Sequence, residues 1–165
     1  MANVCTFRMM ITGNKDGIEK FYKALTQAST NAWIGRGADA SIEYENDSTA
    51  YIDGDCKWSI QSALIDNAES MQEQKDNDGN GDWYWDEETS QVKEFLTVWE
   101  ACEKYHVNME VFSWEPGEQF SEHYKYENGK MTDECVDYSQ EYDEEEDDYI
   151  EVGGFEVDFN LAIPA

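Results

Sequence analysis

Apolar and polar residues alternate along several stretches of this chain and fall at helical spacing in two others. VCTFRMMIT (4–12) is rich in β-branched and apolar residues and predicts a strand that stops at Gly13. The Gly/Asn-rich stretch 13–17 predicts a turn. Over 18–28, Ile18, Phe21, Tyr22 and Leu25 fall on one side of a short amphipathic helix. SIEYEN (41–46) and TAYIDG (49–54) read as strands around an Asn46–Asp47 turn. The stretch 56–65 supports two readings. Cys56, Trp58, Ile60, Ser62 and Leu64 alternate as in a strand, whereas Ile60, Ala63, Leu64, Ala68 and Met71 fit a helix. The alternation is preferred here, giving a strand to about Leu64 and a helical or loose segment to Gln74.

TSQVKEFLTVWEACEKYH (89–106) carries the clearest helical pattern, with Thr89 or Ser90 as cap and Val92, Phe95, Leu96, Trp99, Cys102 and Tyr105 as its buried stripe. Three strands follow, at 107–114, 119–127 and 130–139, separated by Pro116–Gly117 and by Asn128–Gly129, the stronger hairpin signal. Residues 149–163 alternate again, with a Gly153–Gly154 break, and predict an edge or closing strand with a bulge. No internal repeat is visible. The order β-α-β-β-α-β-β-β predicts an α+β fold: a ferredoxin-like antiparallel sheet with two helices on one face and extra C-terminal strands. One domain spans 1–165, with a variable insert at 65–88 and an acidic loop at 139–148.

Specific residues sharpen this. MANVC…ITG at the start, GDCKWS (54–59), EVFSWEPGEQFSEHYKYENG (110–129) and VGGFEVDF (152–159) resemble the YubB ferredoxin-like, Api92-like family, which is scattered through phages, plasmids and gut bacteria. The resemblance runs over most of the chain and departs at Val4, where the family carries Trp. It implies the same fold and an origin in a mobile element or its host. It carries over no catalytic residues.

Charge changes the picture most. The chain of 165 residues holds 11 basic and 38 acidic side chains, a net charge of −27. Hydrophobic residues at 40% and aromatics at 14% are enough for a packed core, which sets it apart from a disordered acidic polymer. Residues 1–40 carry five basic and three acidic side chains, and 41–165 carry six and thirty-five. Such a surface is repelled by nucleic acid and anionic membranes and attracted to cations and basic proteins.

Four cysteines, Cys5, Cys56, Cys102 and Cys135, form no CxxC, which argues against a zinc or iron–sulfur centre. No signal-peptide-like run and no stretch near the roughly 20 apolar residues of a membrane span is present. The reading is of reduced, mostly buried thiols in a cytoplasmic protein, with a Cys5–Cys56 contact left open. GxSxG, P-loop, GxGxxG and HExxH motifs are absent, and the two histidines, His106 and His123, fall at a helix end and within a strand. Cysteine–histidine catalysis through Cys102 or Cys135 has no local signature, and the expectation is a protein that is not an enzyme.

Two candidate sites remain. In DNDGNGDWYWDEE (76–88), Asp76, Asp78, Asn80, Asp82 and Glu87 occupy positions 1, 3, 5, 7 and 12 of an EF-hand-like calcium loop, with Gly81 at the turn position. No second loop exists for Trp83 at position 8 to pair with, so the site would bind Ca2+ weakly, and an acidic hairpin turn is the competing reading. The second candidate is an acidic face. Carboxylates two apart on a strand project from one side about 6.6 Å apart, close to the spacing of charges along a nucleic-acid backbone. Asp133 and Asp137 on one strand, Glu110, Glu115, Glu118 and Glu122 beside them, and the run EYDEEEDD (141–148) would form it. The run contributes Asp143, Glu144, Glu145, Glu146, Asp147 and Asp148, and Tyr138, Tyr142 and Tyr149 supply hydrophobic anchors. The expected function is an anti-CRISPR-like nucleic-acid mimic that occupies the basic channel of a nucleic-acid-binding defence complex, without binding nucleic acid itself.

Overall fold

A computed structural model describes residues 3–78 and 94–153. Its elements are β1 (Val4–Thr12), α1 (Lys15–Leu25), β2 (Ala32–Ile34), β3 (Asp39–Asn46) and β4 (Thr49–Lys57), then a π-helical stretch (Gln61–Asp66) that runs into α2 (Asn67–Asp78). After these come β5 (Glu94–Leu96), α3 (Val98–Tyr105), β6 (Asn108–Glu115), β7 (Phe120–Glu127), β8 (Lys130–Asp143) and β9 (Asp148–Gly153). The main sheet has the order β3-β4-β1-β6-β7-β8-β9, and all its pairings are antiparallel. Its first four strands with their helices make the ferredoxin-like unit, and β7 to β9 extend it on the β6 side. The fold is α+β as expected, with a third helix.

The core follows from the period of two. Cys5, Phe7, Met9 and Ile11 of β1 are fully buried on the face covered by helices. Their partners Cys56, Ile52 and Ala50 on β4, and Met109 and Val111 on β6, continue that face. Helix α1 covers it with Ile18, Phe21, Ala24 and Leu25. Asn14 caps the helix, its Oδ1 accepting the Gly17 N–H at 2.7 Å. Gly17 lets α1 approach the end of α3, because a Cβ there would lie 2.4 Å from the Tyr105 carbonyl oxygen. The Asn128–Gly129 turn has φ of 51° and 81°, the pair of left-handed residues a type I′ hairpin needs.

The acidic loop expected at 139–148 is mostly strand, with β8 running to Asp143 and β9 starting at Asp148, and two further expected elements are different in the structure. The strand expected to Leu64 stops at Lys57, where Trp58 turns left-handed at φ 70°. Ile60, Ala63, Leu64 and Ala68 then bury themselves from a helix. The helix expected over 89–106 begins only at Val98, where Thr97 caps it through the Glu100 N–H at 3.1 Å. Phe95 and Leu96 are buried, but in β5, which pairs in parallel with β2. Thr89, Ser90 and Val92 lie outside the described residues. Cys5, Cys56 and Cys102 are buried thiols, while Cys135 is exposed on β8. Cys5 and Cys56 stand directly opposite each other across β1 and β4. Among the described residues, no helix is long and apolar enough to cross a membrane.

Candidate functional site: an acidic β-ribbon

Strand β8 has two halves. Lys130–Asp137 pairs with β7, ending at the Asp137–Phe120 pair, and Tyr138–Asp143 pairs with β9. The second half and β9 therefore form a two-stranded ribbon that continues past the start of β7, over six residue pairs or about 20 Å. Among the described strands, β9 pairs with β8 alone.

At the far end of the ribbon, Tyr142 and Tyr149 stand opposite each other. Their rings meet edge to face with centroids 5.4 Å apart, and they are 51% and 67% exposed. The turn beyond them holds Asp143 to Asp148. Glu144, Glu145, Glu146, Asp147 and Asp148 are exposed, and Asp143 is half-exposed. The turn is held by its own carboxylates: Asp143 Oδ1 accepts the Glu145 N–H at 2.9 Å, and Asp147, itself left-handed, accepts the Tyr142 hydroxyl. That bond holds the Tyr142 hydroxyl proton and raises its pKa. Six carboxylates and two exposed aromatic rings are thus gathered at one tip.

The other expected acidic positions divide. Asp133 is exposed on β8 opposite Tyr124, and Asp137 occupies the register position opposite Phe120. Glu118 is exposed in the β6–β7 turn. Glu110 lies on the opposite face of the sheet, with His123 Nε2 at 3.0 Å from its Oε2. Glu122 and Glu115 do not belong to a surface. Glu115 is 1% exposed and accepts the N–H groups of Gly117 and Glu118, closing the turn that follows β6.

Glu122 is 2% exposed. Its Oε2 accepts the Ile60 N–H at 2.9 Å and the Ser113 hydroxyl at 2.7 Å. Its Oε1 accepts the Gln61 N–H and the Tyr124 hydroxyl, both at 3.1 Å. With Ser59, whose Oγ accepts the Ser62 N–H at 2.9 Å, it caps the helix that starts at Ile60, a negative charge on a positive helix end, and no partner can reach it. The sequence held the signal for this correction. Phe120, Glu122, Tyr124 and Tyr126 alternate, so Glu122 shares the aromatic face of β7.

The expected calcium ligands fall at the end of α2. Asp76 sits in its last turn, with Oδ1 accepting the Gln72 side-chain N–H at 2.8 Å, and Asp78 is its last residue. Asn80, Asp82 and Glu87 lie outside the described residues. Asp76 also lines a 440 Å³ hollow with Glu69, Glu73 and Glu100. Among the described residues, no three His, Cys, Asp or Glu side chains are grouped to hold a metal ion. Compared with known proteins, the chain matches no family model, no curated protein and no solved structure.

Proposed function

We propose that this chain is a non-enzymatic interaction protein that binds a basic protein surface through its β8–β9 ribbon. The observation that carries the reading is the ribbon tip, where six carboxylates flank the exposed Tyr142–Tyr149 pair. Carboxylates supply long-range attraction to a cationic groove. The two rings supply the desolvated anchor that an acidic loop alone lacks. A basic groove is what nucleic-acid-binding proteins offer, so the partner class is a nucleic-acid-binding protein and the effect is to block it by mimicry. The resemblance to a family of phage and plasmid proteins favours a host defence complex as that partner.

The test is competition. Single- or double-stranded nucleic acid should displace the protein from its partner, and the protein should show no affinity for nucleic acid. A partner that holds nucleic acid and this protein at the same time would end the mimic reading.

A second reading, a calcium site at 76–87, requires the last turn of α2 to unwind, because α2 runs through Asp78 and residues two apart on a helix do not face each other. A calcium-binding module at 76–87 predicts higher thermal stability in millimolar calcium, lost in Glu87→Gln.

A further inference from the structure

Strand β7 starts at Phe120, but its neighbour β8 runs on to Asp143. The turn before β7 fixes that start. The buried Glu115 carboxylate accepts the Gly117 and Glu118 N–H groups, and Gln119 is left-handed at φ 58°, so the chain turns back from β6 at that point. On the side where a longer β7 would lie, no described strand pairs with 138–143 of β8.

The backbone alternation says which groups face that step. The two-residue turn at Asn128–Gly129 closes on a hydrogen-bonded pair, Glu127 with Lys130. The register is unbroken from there to the Phe120–Asp137 pair, so the even-numbered residues of β8 direct their N–H and C=O groups toward β7. The odd-numbered residues direct theirs toward β9, in keeping with the Asp143–Asp148 pair that closes the acidic turn. Tyr138, Gln140 and Tyr142 therefore each present an N–H and a C=O to the open side of β8.

A two-stranded ribbon is marginally stable in water, and a third strand is what stabilises such a unit. A second copy of this chain is a poor third strand, since each copy carries a net charge of −27. The far edge of the sheet, β3, is interrupted by a register shift between Tyr44 and Asn46, which blunts it. The open edge of β8 has carboxylates at both ends: Glu118, exposed in the β6–β7 turn, and the 143–148 run at the tip. The outer edge of β9 lies beyond β8 from Glu118 and lacks the first of these.

We infer that a lysine- or arginine-rich segment of the partner adds here as an extended strand, in the place a longer β7 would take. Its main chain bonds to Tyr138, Gln140 and Tyr142, and its cationic side chains meet the carboxylates at either end. This rests on the ribbon being the surface that meets the partner, and it assigns the form in which the partner is held.

Titration of the full chain with an acetylated, amidated peptide of alternating lysine and valine tests it, the peptide being long enough to span the six ribbon pairs. Two further peptides carry backbone N-methyl groups, one on its lysines and one on its valines. An added strand bonds through one of its edges only. One N-methyl peptide should therefore lose about tenfold or more in affinity, and the other should bind like the parent peptide. By NMR, the amides of Tyr138, Gln140 and Tyr142 should exchange with solvent quickly in the free chain and slowly in the complex. Those of Glu141 and Asp143, bonded to β9, should be slow in both. Equal affinity for the three peptides would overturn strand addition and leave the ribbon as a charged surface. Slow exchange at Tyr138, Gln140 and Tyr142 in the dilute free chain would also overturn it, because the edge would already be filled. If the parent peptide binds equally well after Asp143 to Asp148 are replaced by Ser or Asn, the ribbon reading falls and strand addition with it.

Discussion

Glu122 on β7 caps a helix that begins 62 residues earlier, its Oε2 accepting the Ile60 N–H at 2.9 Å. The same carboxylate takes bonds from Gln61, Ser113 and Tyr124, so one side chain ties β6, β7 and the helix together. Removing it leaves the Ile60 and Gln61 N–H groups and the Ser113 hydroxyl without this acceptor, while the Tyr124 hydroxyl keeps only Gln61 Oε1 at 3.2 Å. Glu122→Ala should cost about 3 kcal/mol or more. Glu122→Gln keeps one acceptor oxygen and loses the charge at the helix end, so it should cost less, about 1–2 kcal/mol. Urea unfolding of the two variants checks this, and equal costs would show that the acceptor geometry contributes nothing.

The buried thiols set a limit at high pH. The hydrogen bond with Cys5 and then burial push the Cys56 thiol pKa well up, and burial alone does the same for Cys102. In the unfolded chain both ionise near pH 8.5. Above that value the unfolded state gives up protons that the native state keeps, so stability is fully present below it and falls as pH rises. Each thiol should remove about 1.4 kcal/mol per pH unit. Unfolding free energies measured in reductant from neutral pH to about pH 10 should show this decline. Cys102→Ala should remove about half of the slope that the two thiols produce.

The core and its margin should respond differently. Phe7 is fully buried at the centre of β1, and Phe7→Ala should cost about 3–5 kcal/mol. Trp99 is only half-buried at the edge of the core, its ring 5.5 Å from that of Tyr124. Trp99→Ala loses part of its burial and one aromatic contact, so about 2 kcal/mol is expected. Thermal unfolding ranks the pair, and a larger loss at Trp99 would contradict the packing described.

Much of the sheet was legible because its determinants are local. β1 runs over Val4–Thr12 as its pattern predicts, and the Asn46–Asp47 and Asn128–Gly129 turns join the strands expected on either side. The misread segments are governed by distant partners. Whether 56–65 continues as a strand depends on Glu122, which supplies the helix with its cap from β7. Whether Phe95 and Leu96 are helical depends on Ala32–Ile34, a three-residue strand too short to leave a periodic signal. Composition also cannot tell a carboxylate that faces solvent from one that closes a helix. That is why Glu122 belongs to the interior while the 143–148 run, with no apolar residue among its six, stays outside.

The ribbon offers the sharpest test of function, because it can be altered without touching the core. Asp143, Glu144, Glu145, Glu146, Asp147 and Asp148 can be replaced together by Ser or Asn. The fold should persist and gain stability slightly, since like charges crowd one turn. Against a basic partner the neutralised protein should associate more slowly. Its rate should also lose most of the parent's salt dependence, because charge steers encounter over about 8 Å at physiological salt. Tyr142→Ala with Tyr149→Ala should act on the other rate. The rings are short-range anchors, so their loss should speed dissociation and leave the salt dependence of association in place. Stopped-flow association and surface-capture dissociation separate the two effects. If both variants bind with the parent's rates, the ribbon is a solvated hairpin, and any contact with a basic surface must rest on Glu118, Asp133 and the β8 edge instead.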